Sequence, residues 1–234
     1  YSASASGPWS ATQPPKVNVG EHKIYYKVTH PQYADVTGFG TVKIVPAKVT
    51  IKADDNGKFF GTADPSPLTA TETGKPTNGV ALVYSVERDP GHAVGTYAIK
   101  VAVGNNPNYT VTPVNGELTI TKAGGTMTAK VDEKGLTSVY DAKPHGITVI
   151  VGGVTEDYEI KYSASENGPF SATQPVKVNV ADSGKIYYQV THPNHEDVTG
   201  SATVTITKRP VTVKADDKTK TYGTPDPELT VQIT

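Results

Sequence analysis

The feature that most constrains this chain is a long internal repeat. Residues 1–19, YSASASGPWSATQPPKVNV, recur as residues 162–180, YSASENGPFSATQPVKVNV, with 15 of 19 positions identical. After a one-residue insertion the match resumes. KIYYKVTHPQYADVTGFGTVKIV from Lys23 returns as KIYYQVTHPNHEDVTGSATVTIT from Lys185, with 15 of 23 positions identical. It then runs on: VTIKADD at Val49 returns as VTVKADD at Val211, and Gly61-Thr62-Ala63-Asp64-Pro65 as Gly223-Thr224-Pro225-Asp226-Pro227. A period of 162 residues is too long for one solenoid repeat, so each period holds two alternating domains. The copies divide the chain into four pieces. Residues 1–47 are the second half of a type A domain, 48–122 a complete type B, 123–208 a complete type A, and 209–234 the start of another B. Residues 1–47 carry no counterpart of 124–161, and this phase reads as a fragment of a longer array.

Composition fixes the class of domain. The chain has 29 Val and 32 Thr against 5 Leu and a single Met. Val and Thr are stiff at χ1 and suit a pleated surface, whereas Leu and Met favour helices. With 22 Gly and 18 Pro in 234 residues, turns are frequent. A helical bundle is excluded and a doubly wound α/β enzyme is disfavoured. No cysteine is present, which removes disulfides, thiolate chemistry and Cys-ligated metal. The net charge of -1 gives no electrostatic case for nucleic acid or an anionic membrane. No apolar run reaches 18 residues, so no helical membrane span is expected.

Strand patterns are dense. Alternation puts Ile24, Tyr26 and Val28 on one face and Lys23, Tyr25 and Lys27 on the other. Val42 with Ile44, Val204 with Ile206, the set Tyr97, Ile99, Val101 and Val103, and Leu118 with Ile120 follow the same rule. Asn56-Gly57, Asn78-Gly79, Asn115-Gly116 and Asn167-Gly168 read as tight turns. A short helix fits only 68–80 or 155–158. The junctions Val45-Pro46-Ala47-Lys48, Lys122-Ala123-Gly124-Gly125 and Lys208-Arg209-Pro210 are so short that one domain runs almost directly into the next. The expected architecture is all-β: tandem small β-sandwich or β-grasp-like domains in an elongated rod.

Chemistry-bearing motifs are few. The chain has no G-x-S-x-G, no H-E-x-x-H and no phosphate-cradling G-x-x-x-x-G-K. No catalytic residue, metal ligand or cofactor is assigned. His30 and His192 occupy equivalent positions, each before a proline, and read as strand-end residues. Asp54-Asp55-Asn56-Gly57 resembles the opening of a calcium loop but lacks the downstream Glu, so it reads as a turn. Lys16 and Lys177, placed on a strand, are candidates for a Lys–Asn crosslink with no identifiable partner. The candidate ligand contacts are aromatic. Trp9 and its counterpart Phe170 follow Gly-Pro; they either plug the end of a core, the preferred reading, or form a binding tip. Tyr25 and Tyr187 lie opposite the aliphatic stripe, as exposed cross-strand packers or as contacts.

The B domain resembles the MBG repeat of the YGX type, found in tandem in large bacterial surface proteins. The resemblance rests on Val211–Asp217, Lys220-Thr221-Tyr222-Gly223 and Asp226-Pro227-Glu228-Leu229. The complete copy carries it as Lys52-Ala53-Asp54-Asp55, Phe60-Gly61, Asp64-Pro65, Gly95–Ile99 and Asn108-Tyr109-Thr110, with Phe60 at the Tyr position. The A domain resembles bacterial Ig-like repeats through Tyr140-Asp141-Ala142-Lys143, where Ala142 replaces the glycine of a Tyr-Asp-Gly-Lys signature. Tyr187-Tyr188, His192-Pro193 and Val198-Thr199-Gly200 fit the same repeats. These resemblances imply a non-enzymatic stalk of a cell-surface adhesin, spacing a distal adhesive or enzymatic domain from a bacterium. They place it outside the cell, wall-anchored through a region beyond this chain. In such a bacterial protein the sequon at Asn108 carries no role. The implied partners are neighbouring repeats of the same polypeptide, without nucleic acid or direct membrane insertion. The alternative is a multivalent adhesin whose repeats themselves bind host glycan or a surface protein. A third reading makes the chain an accessory segment of a large extracellular glycosidase.

Overall fold

The computed structural model describes all 234 residues, and the chain divides after Thr121 into two compact units. It is almost entirely β, with a single 3-10 turn at Val180–Asp182. No helix is long and apolar enough to cross a membrane.

The first unit opens with a hairpin, β1 (Gly20–His30) and β2 (Tyr33–Ile44), forming a two-stranded sheet. Two packed sheets follow, built from β3 (Ala47–Ala53), β4 (Asn56–Phe59), β5 (Ala70–Thr73), β6 (Tyr84–Arg88), β7 (Gly95–Val103), β8 (Tyr109–Val114) and β9 (Gly116–Thr121). Their orders are β5-β3-β8 and β4-β9-β7-β6. Alternation fills the space between them: Ile51 and Ala53 from β3 meet Ile99 and Val101 from β7 and Leu118 and Ile120 from β9. The entry strand β3 lies parallel to β8, and β4 lies parallel to the closing strand β9, with Asn56 opposite Leu118 and Phe59 opposite Thr121.

The second unit contains β10 (Thr128–Val131), β11 (Thr137–Val139), β12 (Val149–Gly152), β13 (Glu159–Ser163), β14 (Gly184–His192), β15 (His195–Thr207), β16 (Val213–Ala215) and β17 (Val231–Ile233). A four-stranded sheet, β11-β15-β14-β13, packs on the pair β10-β12. Ile186, Tyr188 and Val190 of β14 and Val204 and Ile206 of β15 form the core with Met127 and Ile147. Again the entry side pairs in parallel with the closing strand: Thr137 faces Thr205 and Val139 faces Thr207. The Gln174 side chain holds Ile147 in place, accepting from its N–H at 3.1 Å and donating to its carbonyl at 2.8 Å. β16 and β17 pair as a two-stranded sheet.

The two hairpins show what packing adds to pattern. Tyr188 and Val190 are 5% and 0% exposed, whereas their counterparts Tyr26 and Val28 in β1 are 39% and 60% exposed. The strands are alike, but only the second copy has β10 and β12 over its inner face. Several expectations need correction. Asn56-Gly57 is not a turn; the ladder with β9 takes up its backbone. Of the four Asn-Gly glycines only Gly168 has positive φ, at 79°. Gly116 is required for another reason, since a Cβ there would lie 2.5 Å from the Ala53 carbonyl oxygen. No helix forms in 68–80 or 155–158, where β5 and bends stand instead. Lys16 lies outside any strand, and Lys177 makes only an isolated bridge with His145.

A polar clasp closes the first unit. Asp64 accepts from Lys58 Nζ at 2.7 Å and from Arg88 Nε at 2.7 Å, and Arg88 also donates to the carbonyls of Asp89 and Gly91. The counterpart pair, Lys220 with Asp226, forms in the second copy.

A Cβ at Gly200 would collide with the buried Tyr188 ring, whereas at Gly38 the half-exposed Tyr26 can swing aside. Gly200→Ala is expected to cost about 1–3 kcal/mol, and Gly38→Ala much less, in separate urea melts of the two variants. Ala142 has φ of 61°, in the left-handed region where a Cβ is strained. Ala142→Gly should therefore stabilise by about 1 kcal/mol in the same assay. Hydrogen bonds from Lys58 and then Arg88 hold the Asp64 carboxyl below its usual range. A depressed carboxyl adds stability that is present above its unfolded value near 4 and lost as pH falls through the lower folded value. Asp64→Asn should flatten the loss of melting temperature below about pH 4.

Candidate functional site

The candidate site is built on the outer face of the β13-β14-β15 sheet. Register sets it: Ser163 of β13 faces Tyr187 of β14, which faces Ser201 of β15. Since Ile186 and Tyr188 point to the core, parity sends Lys185 and Tyr187 outward. The chain then turns at Gly168, makes a cis Gly168–Pro169 bond, and returns so that Ser171 bridges Tyr162. That return lays Phe170 on the outer face. The result is a groove of about 180 Å³ lined by Glu166, Phe170, Lys185, Tyr187, Thr199 and Ser201, with Tyr188 and Gly200 at its floor. The Lys185 ammonium lies 5.9 Å from the Tyr187 ring.

This arrangement corrects the plug reading for the second copy. Phe170 takes no part in the hydrophobic core and shares its groove with Tyr187. The first copy is arranged differently. Gly7–Pro8 is also cis, and Trp9 is 36% exposed. Tyr25 meets Phe39 at 5.9 Å between ring centres, and Lys23 Nζ sits 4.4 Å above Phe39. The structure thus joins Phe170 to Tyr187, while the ring neighbour of Tyr25 is Phe39 rather than Trp9. Glu166, Lys185, Thr199 and Ser201 escaped sequence reasoning. The parity of Lys185 with Tyr187 was available; the others needed the strand register.

Other sequence candidates hold the fold together. The Asp54 carboxylate accepts from Thr69 Oγ1 at 2.7 Å and Thr71 Oγ1 at 2.8 Å. These two hydroxyls, Thr69 first, hold its pKa below the usual carboxylate range. Asp216 repeats the device with Thr230 and Gln232, and Asp55 accepts from the Glu117 N–H. Both aspartates therefore brace strand ends. His192 and His195 are buried at the β14–β15 turn with ring centres 4.7 Å apart. His192 Nδ1 accepts from the Asn194 N–H, and His195 Nδ1 lies 2.6 Å from Thr126 Oγ1. Burial, then the neighbouring His192, depresses the His195 pKa. The same turn grips the segment entering the second unit: Ala123 N–H donates to the Asn194 carbonyl, and Glu196 N–H to the Ala123 carbonyl. His30 meets Tyr33 in the first copy, at 4.9 Å. Asn108 is a joint residue. Its Oδ1 accepts from the Val19 N–H at 2.9 Å and its Nδ2 donates to Asn18 Oδ1 at 3.2 Å, pinning the segment ahead of β1 to the body of the first unit.

Chemically, the groove offers two aromatic faces, one ammonium, one carboxylate and two hydroxyls, a set suited to holding a ligand. No group of three or more His, Cys, Asp or Glu side chains is placed to hold a metal ion. Among solved structures, the chain is similar to immunoglobulin domains 1–4 of Sidekick-1, at 9% identity and a TM-score of 0.34, over 80% of this chain and 58% of that one. It is similar to extracellular cadherin domains 1–4 of protocadherin gamma B7, at 9% identity and a TM-score of 0.28, over 91% of this chain and 66% of that one. The chain thus spans less than two thirds of either structure. No curated protein sequence matches it. Residues 49–119, the two-sheet body of the first unit, match the family described as MBG domain (YGX type).

Proposed function

We propose that this chain is a tension-resisting spacer, a stalk segment of a repetitive bacterial surface protein that holds a distal adhesive or enzymatic domain away from the cell. In this reading it is extracellular and non-enzymatic, alternates MBG and Ig-like repeats, and has its own neighbouring repeats as its main partners. One observation carries the reading. In both bodies strands near the entry pair in parallel with strands near the exit: β3 with β8 and β4 with β9 in the first, and β11 with β15 in the second. Tension drawn through the two chain ends pulls such strands in opposite directions along their length. All the hydrogen bonds of the ladder are then loaded together, instead of opening one at a time as in a peeled hairpin. Forced unfolding is governed by the barrier to leaving the native state, so this geometry resists pulling beyond what equilibrium stability gives. Asn108 holds Ala47, and the β14–β15 turn holds Ala123, so the segment entering each body is itself hydrogen-bonded to that body.

Absence of cysteine makes the test direct, since two engineered thiols define the pulling points. Handles at Pro46→Cys and Lys122→Cys load the entry strands in shear, β3 against β8 and then β4 against β9. Handles at Thr62→Cys and Lys122→Cys peel the latter pair from one end. Single-molecule pulling should give an unfolding force at least about twofold higher for the first geometry. Equal forces would remove the mechanical basis for a spacer.

A further inference from the structure

We infer that the outer groove of the second unit binds one ring of a neutral saccharide. Its lining first excludes other classes of ligand. A purely apolar ligand would use the two rings but none of the four exposed polar side chains around them. A cation meets the Lys185 ammonium and an anion meets the Glu166 carboxylate. The Lys185 ammonium lies over the Tyr187 ring at 5.9 Å, at the edge of the groove, where its N–H groups can turn to a ligand. A neutral polyhydroxylated ring satisfies every part of the site. Its C–H face lies on Tyr187 and Phe170, flat apolar surfaces with polar edges. Its hydroxyls donate to Glu166, accept from Lys185, and exchange hydrogen bonds with Thr199 and Ser201. At about 180 Å³ the groove is below the roughly 300 Å³ at which pockets for larger ligands begin, so it takes one ring of a longer chain.

The first copy supplies an internal comparison. Lys23, Tyr25 and Thr37 match Lys185, Tyr187 and Thr199, but Phe39 stands where the second copy has Ser201, and Ala5 where it has Glu166. The first copy therefore lacks both the carboxylate and one of the hydroxyls. Phe39 packs beside Tyr25 and under Lys23, whereas Tyr187 has no ring across the ladder and only the Lys185 ammonium near it, at 5.9 Å. One chain therefore offers one open site. An array repeating the second copy would multiply weak sites into useful avidity. This inference is independent of the spacer reading, because pulling geometry and groove contents share no residues.

The test is titration of the isotopically labelled 234-residue chain with cellohexaose, chitohexaose and mannohexaose, followed by amide chemical shifts. At least one probe is expected to shift Lys185, Tyr187 and Ser201 with a Kd of about 1 mM, while residues 23–39 stay still. Tyr187→Ala should weaken binding by about tenfold or more. Ser201→Phe, at an exposed position, installs the first copy's ring and should abolish binding with the core resonances unchanged. The inference is overturned if no probe moves these residues at about 20-fold the expected Kd, or if the shifts survive Ser201→Phe.

Discussion

The closing strands β9 and β15 are the members on which both bodies depend. Each is paired on both sides, β9 with β4 and β7, and β15 with β11 and β14. Half of the eight largest fully buried side chains sit on them: Leu118 and Ile120, Val204 and Ile206. At roughly 1.5–3 kcal/mol for each buried aliphatic side chain, these four rank among the largest favourable contributions in domains with no disulfide. Because the same strands carry the parallel pairing, core and mechanical ladder are one object. A change that loosens the core of β9 also loosens its grip on β4.

Polar groups finish what the small cores leave open. Asp54 ties the end of β3 to β5 through two threonine hydroxyls, and Asp216 repeats the tie between β16 and β17. The recurrence of this device where only two short strands stand shows that it needs little besides its own residues. The Asp64 clasp is less local, since Arg88 comes from β6, 24 positions on. Its counterpart in the second copy keeps only the lysine, six residues from the aspartate.

Much of the fold was legible because alternation is a one-dimensional signal. The inward sets on β7, β9, β14 and β15 could be read from residue order alone. Pairing could not. Nothing in Asn56–Phe59 announces a parallel partner about 60 residues away, and Asn56-Gly57 even argued for a turn. The amide of Asn108 looked like part of a sequon, yet its partners are Asn18 and Val19, about 90 positions earlier. The four aromatic candidates had the right parity or the right Gly-Pro context. Whether they met depended on the register of β13 on β14 and on the return at Gly168.

The inner and outer faces of the repeated hairpin answer to different constraints. Inside, Ile24, Tyr26 and Val28 match Ile186, Tyr188 and Val190 residue for residue, although only the second set lies in a packed core. Outside, Lys27, Phe39 and Lys43 become Gln189, Ser201 and Thr205. Position 39 and its counterpart 201 sit directly across the ladder from the outward tyrosine. With Phe39 the cross-strand pair is aromatic and self-satisfied, contributing a few tenths to about 1 kcal/mol. With Ser201 that packing is given up, and Tyr187 keeps only the Lys185 ammonium and the groove it shares with Phe170. One outward position, Phe39 or Ser201, thus decides whether the tyrosine has a ring across the ladder, and the fold accommodates both because neither choice touches the core.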